Sequence, residues 1–229
     1  MTAARPAWQA LVVAGGAGLR MGAPLPKQFL PLAGRPILMR SLEAFAQHWP
    51  RMPLALVLPE GHFDYWRQLC EQHQFALPHR LLPGGAERFH SVRNGLEAIG
   101  PGLVAIHDGV RPLVSRATIE AAFELAGRHG AAIPVLPAVE SLRQVSADGG
   151  SRAVARAEFR LVQTPQVFDA QALKRAYERP YSPLFTDDAS VFEAAGHAVH
   201  LCPGNPENIK ITTASDLVVA EALWNSLRP

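Results

Sequence analysis

Cysteine is scarce in this chain of 229 residues: only Cys70 and Cys202 occur, far apart and without a Cys-x-x-Cys spacing. That excludes a disulfide framework and a thiolate zinc site, and it points to a reducing cytoplasm. No apolar run approaches the roughly 18 residues of a membrane span. The opening MTAARPAWQA also lacks the long apolar core of a signal peptide. An excess of one charge is missing as well. Lys and Arg number 22 against 20 Asp and Glu, a formal net charge of +2, and no basic block is long enough to follow a nucleic-acid backbone. Neither a nucleic acid nor a membrane is therefore expected as a partner. Small anionic substrates, met by local positive potential, fit better than polymers. With 48% hydrophobic and 18% charged residues, the chain can bury a full core as a single domain spanning residues 1–229.

What the chain does have is concentrated early, in residues 11–32, LVVAGGAGLRMGAPLPKQFLPL. Leu11-Val12-Val13-Ala14 is an apolar run of strand length. It stops at Gly15-Gly16-Ala17-Gly18, where small residues let a ligand approach the backbone. Successive backbone N–H groups in such a loop point at phosphate oxygens, and Arg20 and Lys27 add two fixed cations. Spacing separates the familiar phosphate loops. A dinucleotide fingerprint needs Gly-x-Gly-x-x-Gly, yet counting from Gly16 its last position holds Met21. A Walker loop needs Gly-Lys-Ser/Thr, whereas Gly22 is followed by Ala23-Pro24 and Lys27 by Gln28. A plain strand-to-helix turn with solvated charges accounts for Gly-Gly-x-Gly alone, but not for Arg-Met and Pro-Lys-Gln at fixed offsets.

The rest of the chain reads as alternating strands and helices. Pro36-Ile37-Leu38 opens a helix with Leu38, Leu42, Phe45 and Ala46 on one face, and Leu54-Ala55-Leu56-Val57-Leu58 is a strand buried on both faces, which implies a parallel sheet. A helix over 62–74 turns Phe63, Trp66, Leu69 and Cys70 inward. Arg80-Leu81-Leu82 leads to a second glycine turn, Gly84-Gly85, and a helix with Val92, Leu96 and Ile99 inward. Leu103-Val104-Ala105-Ile106 is the next buried strand, ending in His107-Asp108-Gly109-Val110-Arg111-Pro112. A helix over 117–128 and a strand over 131–137 follow. The fold class is α/β, Rossmann-like, a mostly parallel sheet with helices on both faces.

Residues 138–163 alternate around Asp148-Gly149-Gly150, a hairpin signal, and form an inserted arm. A lone ribbon is marginal in water, so Leu142, Val145, Val154 and Phe159 need a partner surface. Helices from Ala170, through Ala195 and over 215–227 close the chain, with Asp187 read as a helix cap. His197 and His200 flank a strand-like Ala198-Val199 and face opposite ways, so they are not a metal pair.

Six ordered segments resemble the 2-C-methyl-D-erythritol 4-phosphate cytidylyltransferase family. They include the glycine loop with Pro26-Lys27-Gln28-Phe29, the Gly84-Gly85-x-x-Arg88-x-x-Ser91 turn, His107-Asp108 with Arg111-Pro112, Thr164-Pro165-Gln166-x-Phe168, and Asn208-Ile209-Lys210-x-Thr212. Two segments depart from the family pattern. Glu140-Ser141-Leu142-Arg143 stands where the family has Asp-Thr-x-Lys, and Gly109-Val110 where it has Ala-Ala.

The resemblance implies cytidine triphosphate (CTP) as the nucleotide, a homodimer that exchanges arms, and a set of roles. Ala14, Gly15, Gly16, Gly18, Gly84, Gly85, Arg88, Ser91 and Asp108 would bind CTP, with Ser91 near the base. Arg20, Lys27, Arg156 and Lys210 would carry catalysis. Arg111, Ser141, Arg156, Thr164, Thr186, Asp187 and Lys210 would hold the acceptor. An aspartate beside a triphosphate suggests a magnesium ion (Mg2+) on Asp108, directly or through water; a ribose-binding or helix-N-terminal carboxylate explains it as well. His107 reads as a structural hydrogen-bonder. Ribitol 5-phosphate cytidylyltransferase is the alternative activity. A catalytically silent nucleotide-binding protein would have lost Arg20, Lys27, Arg156 and Lys210, and all four are present.

Overall fold

Buried runs with both faces covered set the architecture. In the computed structural model, which describes residues 7–15 and 26–227, they form the centre of one eight-stranded sheet. The first half of the chain contains β1 (Trp8–Val13), a small ribbon of β2 (Pro31–Leu32) and β3 (Arg35–Pro36), α1 (Ile37–Ala46), β4 (Leu54–Leu58), α2 (Phe63–Gln72), β5 (Arg80–Pro83) and α3 (Arg88–Leu96). Then come β6 (Leu103–Asp108), α4 (Arg116–His129), β7 (Ala131–Pro137), β8 (Leu142–Val145), β9 (Ser151–Val154), β10 (Arg160–Val162) and β11 (Gln166–Asp169). The chain ends with α5 (Ala170–Ala176), α6 (Asp188–Ala194), β12 (His200–Pro203) and α7 (Ala214–Leu227).

Strands β5, β4, β1 and β6 are parallel neighbours in that order. Alternate residues of each strand feed opposite layers. Ala10, Val12, Leu54, Leu56, Leu103 and Ala105 join the core that α1, α2 and α4 cover. Leu11, Val13, Ala55, Val57, Val104 and Ile106 join the layer under α3, α5 and α6. This is the doubly wound arrangement expected from continuous apolar runs. A third, smaller cluster docks α7 through Ala220 and Trp224 on Leu32, Ile37, Val110, Leu113 and Ile211.

The far side of the sheet differs from the sequence expectation. The chain leaves β7 into the arm and returns along the same edge, first as β10 and then as β11, so both returning strands run antiparallel to β7. Strand β11 also pairs antiparallel with β6, which inserts it between β6 and β7. No strand was expected over Gln166-Val167-Phe168, because four residues beside a proline give too little alternation to read. The strand near the two late histidines begins at His200 rather than at Ala198, and it pairs parallel with the outer edge of β7. His197 stacks on Phe192 and His200 on His129, so the two histidines are apart in use as well as in facing.

Within residues 138–163 the β8–β9 ribbon stands apart from the main sheet, which the chain rejoins at β10. Strands β8 and β9 make an antiparallel ribbon around the Asp148-Gly149-Gly150 turn, with Gly149 at a positive φ of 86°. Val139, Val145, Phe159, Leu161 and Val162 remain exposed, Val145 at 70%.

Helix α3 approaches the sheet through a glycine. A Cβ on Gly95 would lie 2.6 Å from both Leu11 methyls and 2.8 Å from a Val57 methyl, all of them in the closed core. Alanine at this place gains up to about 1 kcal/mol of helix propensity but overpacks the core by roughly 1–3 kcal/mol. Gly95→Ala should lower the thermal midpoint by a few degrees in circular-dichroism melts; an unchanged or raised midpoint would show that α3 can lift off the sheet at no cost.

Candidate active site

Strand order places the site. The chain builds outward from β1 through β4 to β5, then crosses back to lay β6 on the other side of β1, so a crevice opens beyond the carboxyl ends of β1 and β6. Their register pairs Val13 with Asp108. The glycine loop therefore leaves the sheet directly beside the Asp108 carboxylate. Gln28 is buried and donates through Nε2 to Ala14 O at 3.4 Å, while Phe29 packs edge-on against His62 and Tyr65. These anchors fix the short turn Lys27–Phe29, and with it Lys27, at the end of β1. Gly16, Gly18 and Arg20 lie outside the described residues.

Asp108 gathers cations from three directions. Its Oδ2 lies 3.0 Å from Lys210 Nζ and 3.3 Å from Arg111 Nε, and its Oδ1 lies 3.6 Å from Arg88 Nε. Burial alone would raise its pKa, but Arg88, Lys210 and Arg111 together hold it well below the usual carboxylate range. Arg111 also donates from Nη1 to Asn208 O at 2.7 Å. Asn208, fully buried, donates to Thr164 O at 2.8 Å, and Gln163 donates to Asn205 O at 3.0 Å. This polar web ties the Asn-Ile-Lys segment to the base of the arm and presents Lys210 to Asp108.

His107 is fully buried beneath this cluster. The Arg111 carbonyl can only accept, so His107 carries its proton on Nε2 and donates to Arg111 O at 2.9 Å. In the neutral ring Nδ1 then accepts from the Thr164 hydroxyl at 3.1 Å, while Thr164 Oγ1 accepts from Asp108 N–H. Burial lowers its pKa from 6.5 to about 4.

The second glycine turn stands opposite. Ser91 Oγ accepts from Gly85 N at 3.0 Å, and a Cβ on Gly15 would come within 2.5 Å of that same oxygen. Gly15 thus lets the first loop close on the second, and Gly84 donates from its N–H to Leu58 O at 2.7 Å to fix the turn to the sheet. Arg88 forms a fork with Asp188, Nη1 to Oδ1 at 3.0 Å and Nη2 to Oδ2 at 2.7 Å. Tyr177 OH adds a 2.6 Å bond to Asp188 Oδ1.

The structure therefore brings together Ala14, Gly15, Gly84, Gly85, Arg88, Ser91, Asp108, Arg111, Thr164 and Lys210. Asp187 caps α6 through Ser190 N at 2.9 Å and accepts from Gln166 at 2.8 Å, with exposed Thr186 beside it. Ser141 and Arg156 sit exposed in the arm, where Arg156 donates to Val139 O. Sequence reading missed Asp188, Tyr177, Gln163 and Gln166. The available signals were Gln166 in the Thr164-Pro165-Gln166 segment and the doubled acid in Asp187-Asp188, of which a helix cap uses only the first.

Comparison with known proteins bears on this geometry. The model of the 2-C-methyl-D-erythritol 4-phosphate cytidylyltransferase family matches residues 8–226. The chain belongs to this family. Among the relatives, the cytidylyltransferase of that name from Bacteroides fragilis is 56% identical over 215 residues, covering 93% of this chain and 98% of that one. The one from Bacteroides thetaiotaomicron is 54% identical over 214 residues, covering 93% and 97%. Among solved structures, the cytidylyltransferase from Thermus thermophilus superposes with a TM-score of 0.79 at 35% identity, covering 97% of this chain and 100% of that one. The synthase from Anaerococcus prevotii gives 0.81 at 26%, covering 96% and 99%. Membership of the cytidylyltransferase family does not favour the ribitol alternative.

For a member of this family the buried imidazole has a measurable signature. Between pH 6.5 and about 4 the unfolded chain binds a proton at His107 that the folded chain refuses, so stability is full above 6.5 and falls as pH drops through this window. A gap of this size corresponds to roughly 3 kcal/mol. In NMR titrations the His107 ring should stay neutral at pH 5.5. A His107 transition near 6.5 would contradict the hydrogen-bond assignment.

Proposed function

We propose that the protein joins CTP to 2-C-methyl-D-erythritol 4-phosphate, giving 4-diphosphocytidyl-2-C-methyl-D-erythritol and pyrophosphate for isoprenoid precursor synthesis. The observation that carries this reading is the convergence of Arg88, Arg111 and Lys210 on Asp108, at the crevice where β1 ends. Arg88, Arg111 and Lys210 meet the carboxylates of Asp108 and Asp188 there, and Lys27 at the end of β1 adds positive charge for phosphate groups.

The chemistry needs no catalytic base. A phosphate monoester, with its second pKa near 6, arrives largely as a dianion. Its oxygen attacks the α-phosphorus of CTP, the new P–O bond forms, and the bond to the bridging oxygen breaks to release pyrophosphate. His107 is turned away and hydrogen-bonded on both nitrogens, consistent with a reaction run by positioning and charge. Arg20 and Lys27 stabilise the charge that grows on the α-phosphate and the leaving group. Lys210 exchanges Asp108 for the acceptor phosphate, and Arg111 borders the acceptor with Thr186 and Asp187.

Among the described residues no cluster of three or more His, Cys, Asp or Glu side chains suits a metal. A single carboxylate beside a triphosphate would suit a Mg2+ ion, with Asp108 holding it directly or through water. Bound there, the ion would supply neutralisation of phosphate charge.

Arg156 lies in the arm, whose apolar side chains are exposed. We assign the arm to a homodimer in which Arg156 and Ser141 serve the neighbour's acceptor site. The place of action is the cytoplasm, in keeping with two unpaired thiols, both pushed up to about 11 by burial.

Pyrophosphate release with CTP should be fastest with methylerythritol phosphate across a panel that includes ribitol 5-phosphate and the other nucleoside triphosphates. A higher kcat/KM for ribitol 5-phosphate would overturn the acceptor. In a second experiment, Lys27→Ala and Arg156→Ala should each lower turnover by about 10²-fold, and mixing the two inactive proteins should restore part of it, since one site of each heterodimer holds both native residues. Subunit exchange without recovery would mean that each arm serves its own chain.

A further inference from the structure

The Arg88–Asp188 pair has more bonding than helix capping or solubility requires. Asp187 already caps α6, yet Asp188 follows it with no exposed surface, held by both Nη atoms of Arg88 and by the Tyr177 hydroxyl. A buried ion pair is a poor source of stability compared with apolar side chains of the same volume, so its use lies in the geometry it imposes. A guanidinium gripped by a carboxylate through both ends of its fork has its plane fixed. The third edge of Arg88, at Nε, then faces Asp108 Oδ1.

Both ends of this brace are anchored. Arg88 is the first residue of α3, four residues after Gly84, so fixing its side chain fixes the exit of the second glycine turn. Asp188 is held on the other side because Gln166 spans from β11 to α6: it donates to Asp187 Oδ2 at 2.8 Å and accepts from Ala189 N at 2.9 Å. Tyr177 is wedged against Phe89, the neighbour of Arg88, with ring centroids 4.7 Å apart.

We infer that Asp188 is a positioning residue for phosphoryl transfer: through Arg88 it sets the distance between the second glycine turn and Asp108, on the nucleotide side, and Lys210, which Asp108 holds, on the acceptor side. The inference rests on the cytidylyltransferase reading above. It assigns Asp188 an effect on how the two bound substrates are aligned and little effect on how tightly each is bound.

The test is steady-state pyrophosphate release, with kcat and KM for both substrates referred to folded protein by circular dichroism. Asp188→Asn should lower kcat by roughly 10–100-fold, the size expected of a small misplacement, with both KM values within about threefold of wild type. Asp188→Glu, which keeps a carboxylate for the fork, should recover part of that loss. Tyr177→Phe removes one bond to Asp188 without uncovering a charge and should lower kcat in the same sense by a smaller factor, which carries the test if Asp188→Asn does not fold. The double variant Arg88→Met/Asp188→Leu should regain the thermal midpoint but not kcat. A kcat that is unchanged in Asp188→Asn and Tyr177→Phe, or that returns with the midpoint in the double variant, overturns the inference while wild-type activity keeps the functional reading. Absence of pyrophosphate release by wild type overturns both.

Discussion

A carboxylate at the end of a buried strand, facing three cations, is the constraint on which the site depends. Asp108 ends β6 next to the point where β1 opens into the glycine loop, and removing it would leave Lys210, Arg111 and the Nε edge of Arg88 to repel one another. With it, cations from three separate stretches of chain are held together at one crevice before any substrate arrives. The cost of burying that charge is offset by the cations themselves, which is why the group stays ionised despite its burial.

The surrounding structure serves to hold those partners in place. Thr164 bridges the Asp108 backbone and His107, Asn208 and Gln163 bind residues 204–208 to the arm base, and Gln166 pins α6 to β11. Each is a polar side chain buried with partners, so each fixes a direction as well as a contact. The arm leaves this same region and carries Arg156 and an unpartnered apolar surface away from its own core. The geometry suits an enzyme that aligns two anions without supplying a base.

Much of this was legible in the sequence. Runs such as Leu54–Leu58 and Leu103-Val104-Ala105-Ile106 could only be strands covered on both faces, and once they were parallel, the ends of β1 and β6 had to meet. The glycine turns and the Asp148-Gly149-Gly150 hairpin were equally plain, because backbone demands restrict the residue types allowed. Strand β11 was not, since its pairing is dictated by where the arm returns and not by its own four residues. Asp188 and Gln163 escaped for a different reason. A polar residue gives no local sign of whether it will be buried with partners or left in water, and Arg88, read as a nucleotide ligand, shows its brace only when α3 and α6 are side by side.

Asp108 organises these cations, and replacing it by asparagine isolates the effect of its charge. Asp108→Asn keeps the size but turns one acceptor oxygen into a donor and removes the charge that draws Lys210, Arg111 and Arg88 together. With folding verified by circular dichroism, kcat/KM for pyrophosphate release from CTP and methylerythritol phosphate should fall by at least about 100-fold, in the range seen when a preorganised charge is removed from an active site. A value within about threefold of wild type would show that the cations are placed without the carboxylate.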